Sequence, residues 1–101
     1  ANREDHVSMG VSAARHAETV VSNSEKVLAI ELMSAAQGLD CGEKLRPGRG
    51  VAAAYKAIRE VVPTLEKDRF LAPDIIALEE LLVSGQLVAA VVSGRGLRLD
   101  L

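Results

Sequence analysis

The chain has 101 residues, 49% of them hydrophobic and 26% charged, with a formal net charge of −2. That length bounds one domain, able to bury somewhat over ~60% of the surface of its unfolded state. Lys and Arg are scattered, which argues against a nucleic-acid partner because phosphate recognition needs a concentrated basic patch. A single cysteine, Cys41, excludes an internal disulfide framework and fits a reducing compartment. The chain opens without a charged-then-apolar leader, and no apolar run reaches the roughly 18 residues that cross a bilayer. The sequence therefore reads as cytoplasmic, with no membrane partner. Aromatic residues make up only 2%, and the apolar content is mostly Ala, Val and Leu. Alanine-rich helices bury little area each, and at roughly 25 cal/mol per Å² a core made from them needs close approach or further helices. An all-α, partial helical bundle is expected, one that other polypeptide completes.

In chain order, Val7, Val11, Ala14 and Val21 fall at helical spacing and predict an amphipathic helix from Asp5 to about Val21. Asp5 suits its amino-terminal cap, and Glu4 with Asp5 suits the positive end of its dipole. Ser22-Asn23-Ser24-Glu25 has the form of a capping box, so a second helix is expected to start there. From Lys26 to Gln37 that helix is apolar nearly all round, as in helices buried on all sides, and Gly38 is expected to end it. In a chain of this length such a helix needs neighbouring subunits or further sequence to cover it. Residues 41–50 carry turn chemistry and form the one clear internal loop, within a single unit over 1–101. Val51 to Val62 is again amphipathic and stops at Pro63. Thr64 to Arg69 is a charged link with a helical turn. Pro73-Asp74 opens a short helix closed by Gly85. Gln86 to Val92 makes one more helical piece, followed by a loose tail over 93–101.

Few residues gather into chemistry on their own. His6 and His16 lie ten positions apart, on different faces of a helix, and no pair has the i, i+4 spacing of a helical zinc site, so no metal site is read. Cys41 sits in a glycine-flanked loop far from any histidine and reads as a plain thiol. Gly48-x-Gly50 and Gly94-x-Gly96 lack the strand and helix setting of a phosphate loop. Packing is the default for Tyr55 and Phe70. Glu4, on the sequence alone, reads as helix-end electrostatics.

Three strings change the reading of Glu4. Arg3-Glu4-Asp5-His6-Val7-Ser8-Met9-Gly10, then Val27 to Leu32 with Ala35-Ala36-Gln37-Gly38-Leu39-Asp40, then Asp68 to Ile75 resemble the carboxyl-terminal part of the histidine ammonia-lyases. The resemblance runs over most of the chain and weakens after Gly94. It implies an all-helical homotetramer that eliminates ammonia from L-histidine to give trans-urocanate. It also implies a methylidene-imidazolone electrophile formed from an internal Ala-Ser-Gly. The glutamate matching Glu4 faces the substrate imidazole in that family, where a carboxylate can bind or exchange a proton with an imidazole N–H. Glu4 is thus the expected catalytic and substrate-binding residue. Relatives acting on phenylalanine carry an amide there.

This sequence departs from the family twice. It has no Ala-Ser-Gly, since Ser84-Gly85 and Ser93-Gly94 each follow valine, so this polypeptide alone is expected to be inactive. Arg3 also stands where the family usually has glutamine, and a guanidinium paired with Glu4 would lower its pKa. Two alternatives accompany this reading. One is a related aromatic amino acid lyase or aminomutase, and the other is a helical oligomerisation module without chemistry.

Overall fold

The computed structural model describes residues 2–42 and 46–95, with the side chains of residues 2–8 and of Arg95 outside the description. The order is α1 (Asn2–Cys41), α2 (Arg49–Val61), α3 (Ala72–Val83) and α4 (Gln86–Arg95). Among the described residues there is no strand, so the chain is all-α.

The two helices expected before residue 40 are one helix of 40 residues. Nothing between Gly10 and Gly38 breaks it, because that stretch holds neither proline nor glycine. The hydroxyls that suggested a new start bond backward instead. Ser24 Oγ donates to the Val20 carbonyl at 2.8 Å, and Thr19 Oγ1 donates to the Arg15 carbonyl at 3.0 Å. Ser22 Oγ accepts from Lys26 Nζ at 3.2 Å, one turn along the surface. A capping box needs free backbone N–H groups to satisfy, and a continuous helix leaves none there. Gly38 likewise lies inside α1, which runs on to Cys41.

α3 lies along α1, α4 lies along α2, and the core forms where these pairs meet. It consists of Ala29 and Ala36 from α1, Ala57 and Ile58 from α2, Val62, Leu78 and Leu81 from α3, and Leu87 from α4. Ala29 and Ala36 are seven residues apart, with Leu32 and Met33 packed between them, so one stripe of α1 is covered. Small residues at 29 and 36 let α3 approach closely. The remaining faces of α1 stay open: Val20, Val21, Val27, Leu28 and Ile30 are all exposed, Val27 at 63%. Principal extents of 65 × 40 × 19 Å reflect this long, thinly covered helix.

Pro63 follows the end of α2, where the Val62 amide donates to the Ile58 carbonyl. Residues 62–71 then form a connector without the helical turn expected at 64–69. Its carbonyls are taken by side chains: Arg69 Nη2 donates to Pro63 O at 2.7 Å and Arg69 Nη1 to Thr64 O at 3.3 Å. Pro73 sits in the first turn of α3, and Gly85 closes the helix at φ 81, a left-handed geometry suited to glycine. The tail expected to be loose from Ser93 is still helical through Arg95. Gly94 presses against Ala53 so closely that a Cβ there would lie 2.6 Å from Ala53 Cβ. Residues 96–101 lie outside the described residues. No single described helix is long and apolar enough to cross a membrane.

Candidate functional site

Glu4 lies in the first turn of α1, together with Arg3, Asp5 and His6. The side chains of all four lie outside the described residues. From Glu4 the helix rises about 1.5 Å per residue, so its far end near Gln37 is about 50 Å away. His16 is exposed partway along, and Cys41 is exposed at the end. Among the described residues, no three His, Cys, Asp or Glu side chains gather as metal ligands.

The most developed polar cluster is at that far end. The Gln37 amide pairs with the Leu65 backbone in both directions: Nε2 donates to Leu65 O, and Oε1 accepts from Leu65 N, each at 3.0 Å. One turn later Asp40 accepts from the Tyr55 hydroxyl, from Arg59 Nε at 3.1 Å and Nη2 at 2.6 Å, and from Thr64 Oγ1 at 3.0 Å. The Tyr55 hydrogen bond does most to hold the Asp40 carboxyl below its ordinary pKa; desolvation opposes it, and Arg59 and Thr64 add to the lowering. Arg59 also stacks over the Tyr55 ring, 5.5 Å from its centroid. On the other side of the connector, Arg69 Nε pairs with Asp74 Oδ2 at 2.8 Å.

These bonds frame a cavity of about 320 Å³ between α1, α2 and the connector, with Met33, Ser34, Val62 and Leu71 among its lining residues. Sequence reasoning did not find this arrangement. Gln37 and Asp40 show an i, i+3 spacing that puts them on one helix face. Their partners are 15 to 28 positions away, and no local pattern announces such contacts. Packing was the expectation for both aromatics. Tyr55 is half-buried and bonded, whereas Phe70 is 81% exposed, because Arg69 and Leu71 on either side of it face the cavity.

Ser84-Gly85 lies in an exposed turn and Ser93-Gly94 in a helix. Ser84 Oγ donates to the Leu81 carbonyl at 3.1 Å in the turn between α3 and α4. Ser93 and Gly94 belong to α4, against α2.

Comparison with known proteins draws these features together. The chain is 56% identical over 88 residues to a histidine ammonia-lyase of Deinococcus radiodurans, covering 87% of this chain and 17% of that protein. It is 53% identical over 100 residues to a histidine ammonia-lyase of Gloeobacter violaceus, covering 99% of this chain and 19% of that protein. A histidine ammonia-lyase of Sorangium cellulosum is 55% identical over 96 residues. The chain thus spans about a fifth or less of the length of these curated relatives. No solved structure matches it. The sequence profile of the aromatic amino acid lyases matches residues 1–60, a span holding Glu4 and all of α1, and the chain belongs to that family.

Proposed function

We propose that this chain is the carboxyl-terminal segment of a histidine ammonia-lyase, deaminating L-histidine to trans-urocanate, with Glu4 as its contribution to the substrate pocket. The observation that carries the reading is identity of 53–56% to histidine ammonia-lyases over 87–99% of the chain. Glu4 belongs to α1, the helix that the family match spans. A carboxylate there binds the substrate imidazole through its N–H and exchanges a proton with it during elimination.

The methylidene-imidazolone electrophile of the family supplies the acceptor for the leaving amine when present. The residues of this chain do not fit its formation. Both Ser-Gly pairs follow valine, and their backbones are committed to the α3–α4 turn and the α2–α4 contact. The electrophile therefore belongs to other polypeptide in this reading. The same reading makes the lyase a cytoplasmic homo-oligomer, with further copies covering the open apolar faces of α1.

The test is a chimaera in which this chain replaces the corresponding segment of the Deinococcus radiodurans relative. Urocanate formation is followed by absorbance. Glu4→Gln is expected to lower kcat/KM for histidine by at least about 100-fold, the usual scale of general acid–base assistance. A folded chimaera whose rate is the same with and without that substitution would overturn the role of Glu4.

A further inference from the structure

The cavity at the far end of α1 has the features of a binding site in its own right. Its volume of about 320 Å³ is at the low end of small-molecule sites, which run from about 300 to 1,000 Å³. Much of its wall is apolar, from Met33, Val62, Pro63, Leu65 and Leu71. Two cationic side chains, Arg59 and Arg69, also stand in that lining, and no carboxylate does. Asp40 and Asp74 pair with the two arginines from outside the lining, which orients both guanidinium groups and balances their charge.

Hydrogen bonding leaves capacity to spare. Arg59 donates through Nε and Nη2 to Asp40 and through Nη1 to the Val62 carbonyl. Arg69 donates through Nε to Asp74, Nη1 to Thr64 O and Nη2 to Pro63 O. Each guanidinium has five N–H donors, so about two remain on each. The Gln37 amide is spent on Leu65. Spare guanidinium donors suit a carboxylate head that accepts them, and the aliphatic wall suits an apolar body.

We propose that this cavity binds a small monocarboxylate with an apolar body, its head between Arg59 and Arg69 and its body against Met33, Val62 and Leu71. Inorganic phosphate lacks the body, and a neutral apolar molecule leaves the arginines without a new partner. Donor capacity and wall chemistry carry this assignment, and it holds whether or not Glu4 serves a lyase, whose pocket is about 50 Å along α1.

The experiment titrates benzoate into the ¹⁵N-labelled 101-residue chain. Benzamide keeps the ring without the charge, and acetate keeps the charge without the ring. Saturable shifts centred on Ser34, Arg59, Arg69 and Leu71 are expected with benzoate, with a Kd of about 1 mM. Benzamide and acetate should each bind at least about tenfold more weakly, as expected when one charged or one apolar contribution is lost. Arg69→Gln should weaken benzoate at least about tenfold. Ser34→Phe, which fills the cavity while keeping both arginines, should do the same, with circular dichroism checking that the helices persist. Equal binding of benzamide and benzoate, shifts spread along the open faces of α1, or unchanged affinity in Ser34→Phe would each overturn the proposal.

Discussion

Asp40 stands at the solvent edge, yet it takes hydrogen bonds from three side chains on two other segments. Because these bonds favour the ionised carboxylate, its pKa is lowered in the folded state, first by Tyr55 and then by Arg59 and Thr64. A lowered folded-state pKa adds stability that is complete above the unfolded value of about 3.9 and is lost as pH falls through the folded value. Thermal midpoints of wild type and Asp40→Asn should therefore differ by a constant amount above about pH 5 and converge below about pH 4. A gap that persists unchanged into acid would refute the assignment. Gln37 works through a neutral amide. Gln37→Ala strips partners from the Leu65 N–H and C=O, and should cost about 1–2 kcal/mol. Amide exchange at Leu65 should speed up by about tenfold or more while the core of α3 is unaffected. Equal protection of Leu65 in both proteins would show that the connector is held by other means.

At the scale of elements, the glycines separate local preference from packing. Gly38 lies within α1 with open space where a Cβ would go, so Gly38→Ala should stabilise by about 0.5–1 kcal/mol in chemical denaturation. Gly94→Ala should do the reverse, costing about 1–3 kcal/mol, because the new methyl meets Ala53 across the α2–α4 contact. Opposite signs for the same change in two helices are the measurement that checks both placements. The four helical regions after residue 25 were legible from periodicity, from Pro63 and Pro73, and from Gly85. The join at Ser22 to Glu25 was not, because a capping box and a continuous helix accept the same residues. What separates them is whether the Ser24 hydroxyl turns back to Val20, and tertiary context decides that. The helical end of α4 was hidden for a related reason. Glycine at 94 looks like a breaker in sequence and acts as clearance for a neighbour in the fold. Glu4 could be singled out only by resemblance, since adjacent charges at a helix start look alike whether they cap or react.

For the whole molecule, the open faces of α1 dominate. Val20 and Val27 are seven residues apart on one face, 49% and 63% exposed. The homo-oligomer proposed above predicts that Val20→Glu with Val27→Glu reduces the sedimentation coefficient of the 101-residue chain at tens of micromolar, while the helical signal remains. A wild-type chain that sediments as a monomer over that range would remove this part of the reading. The eight-residue core explains why covering matters: it is confined to one end, and nothing within the described chain braces residues 9–21 of α1. Those residues nevertheless continue the same unbroken rod. Over a lever of about 50 Å, a change of pitch of only 5° at Ala36 swings the opposite tip by about 4 Å, more than the reach of a hydrogen bond. Aim at the amino end is therefore decided at the seat: a methyl added or removed beneath Ala29 or Ala36 would mistune the role proposed for Glu4 without touching it.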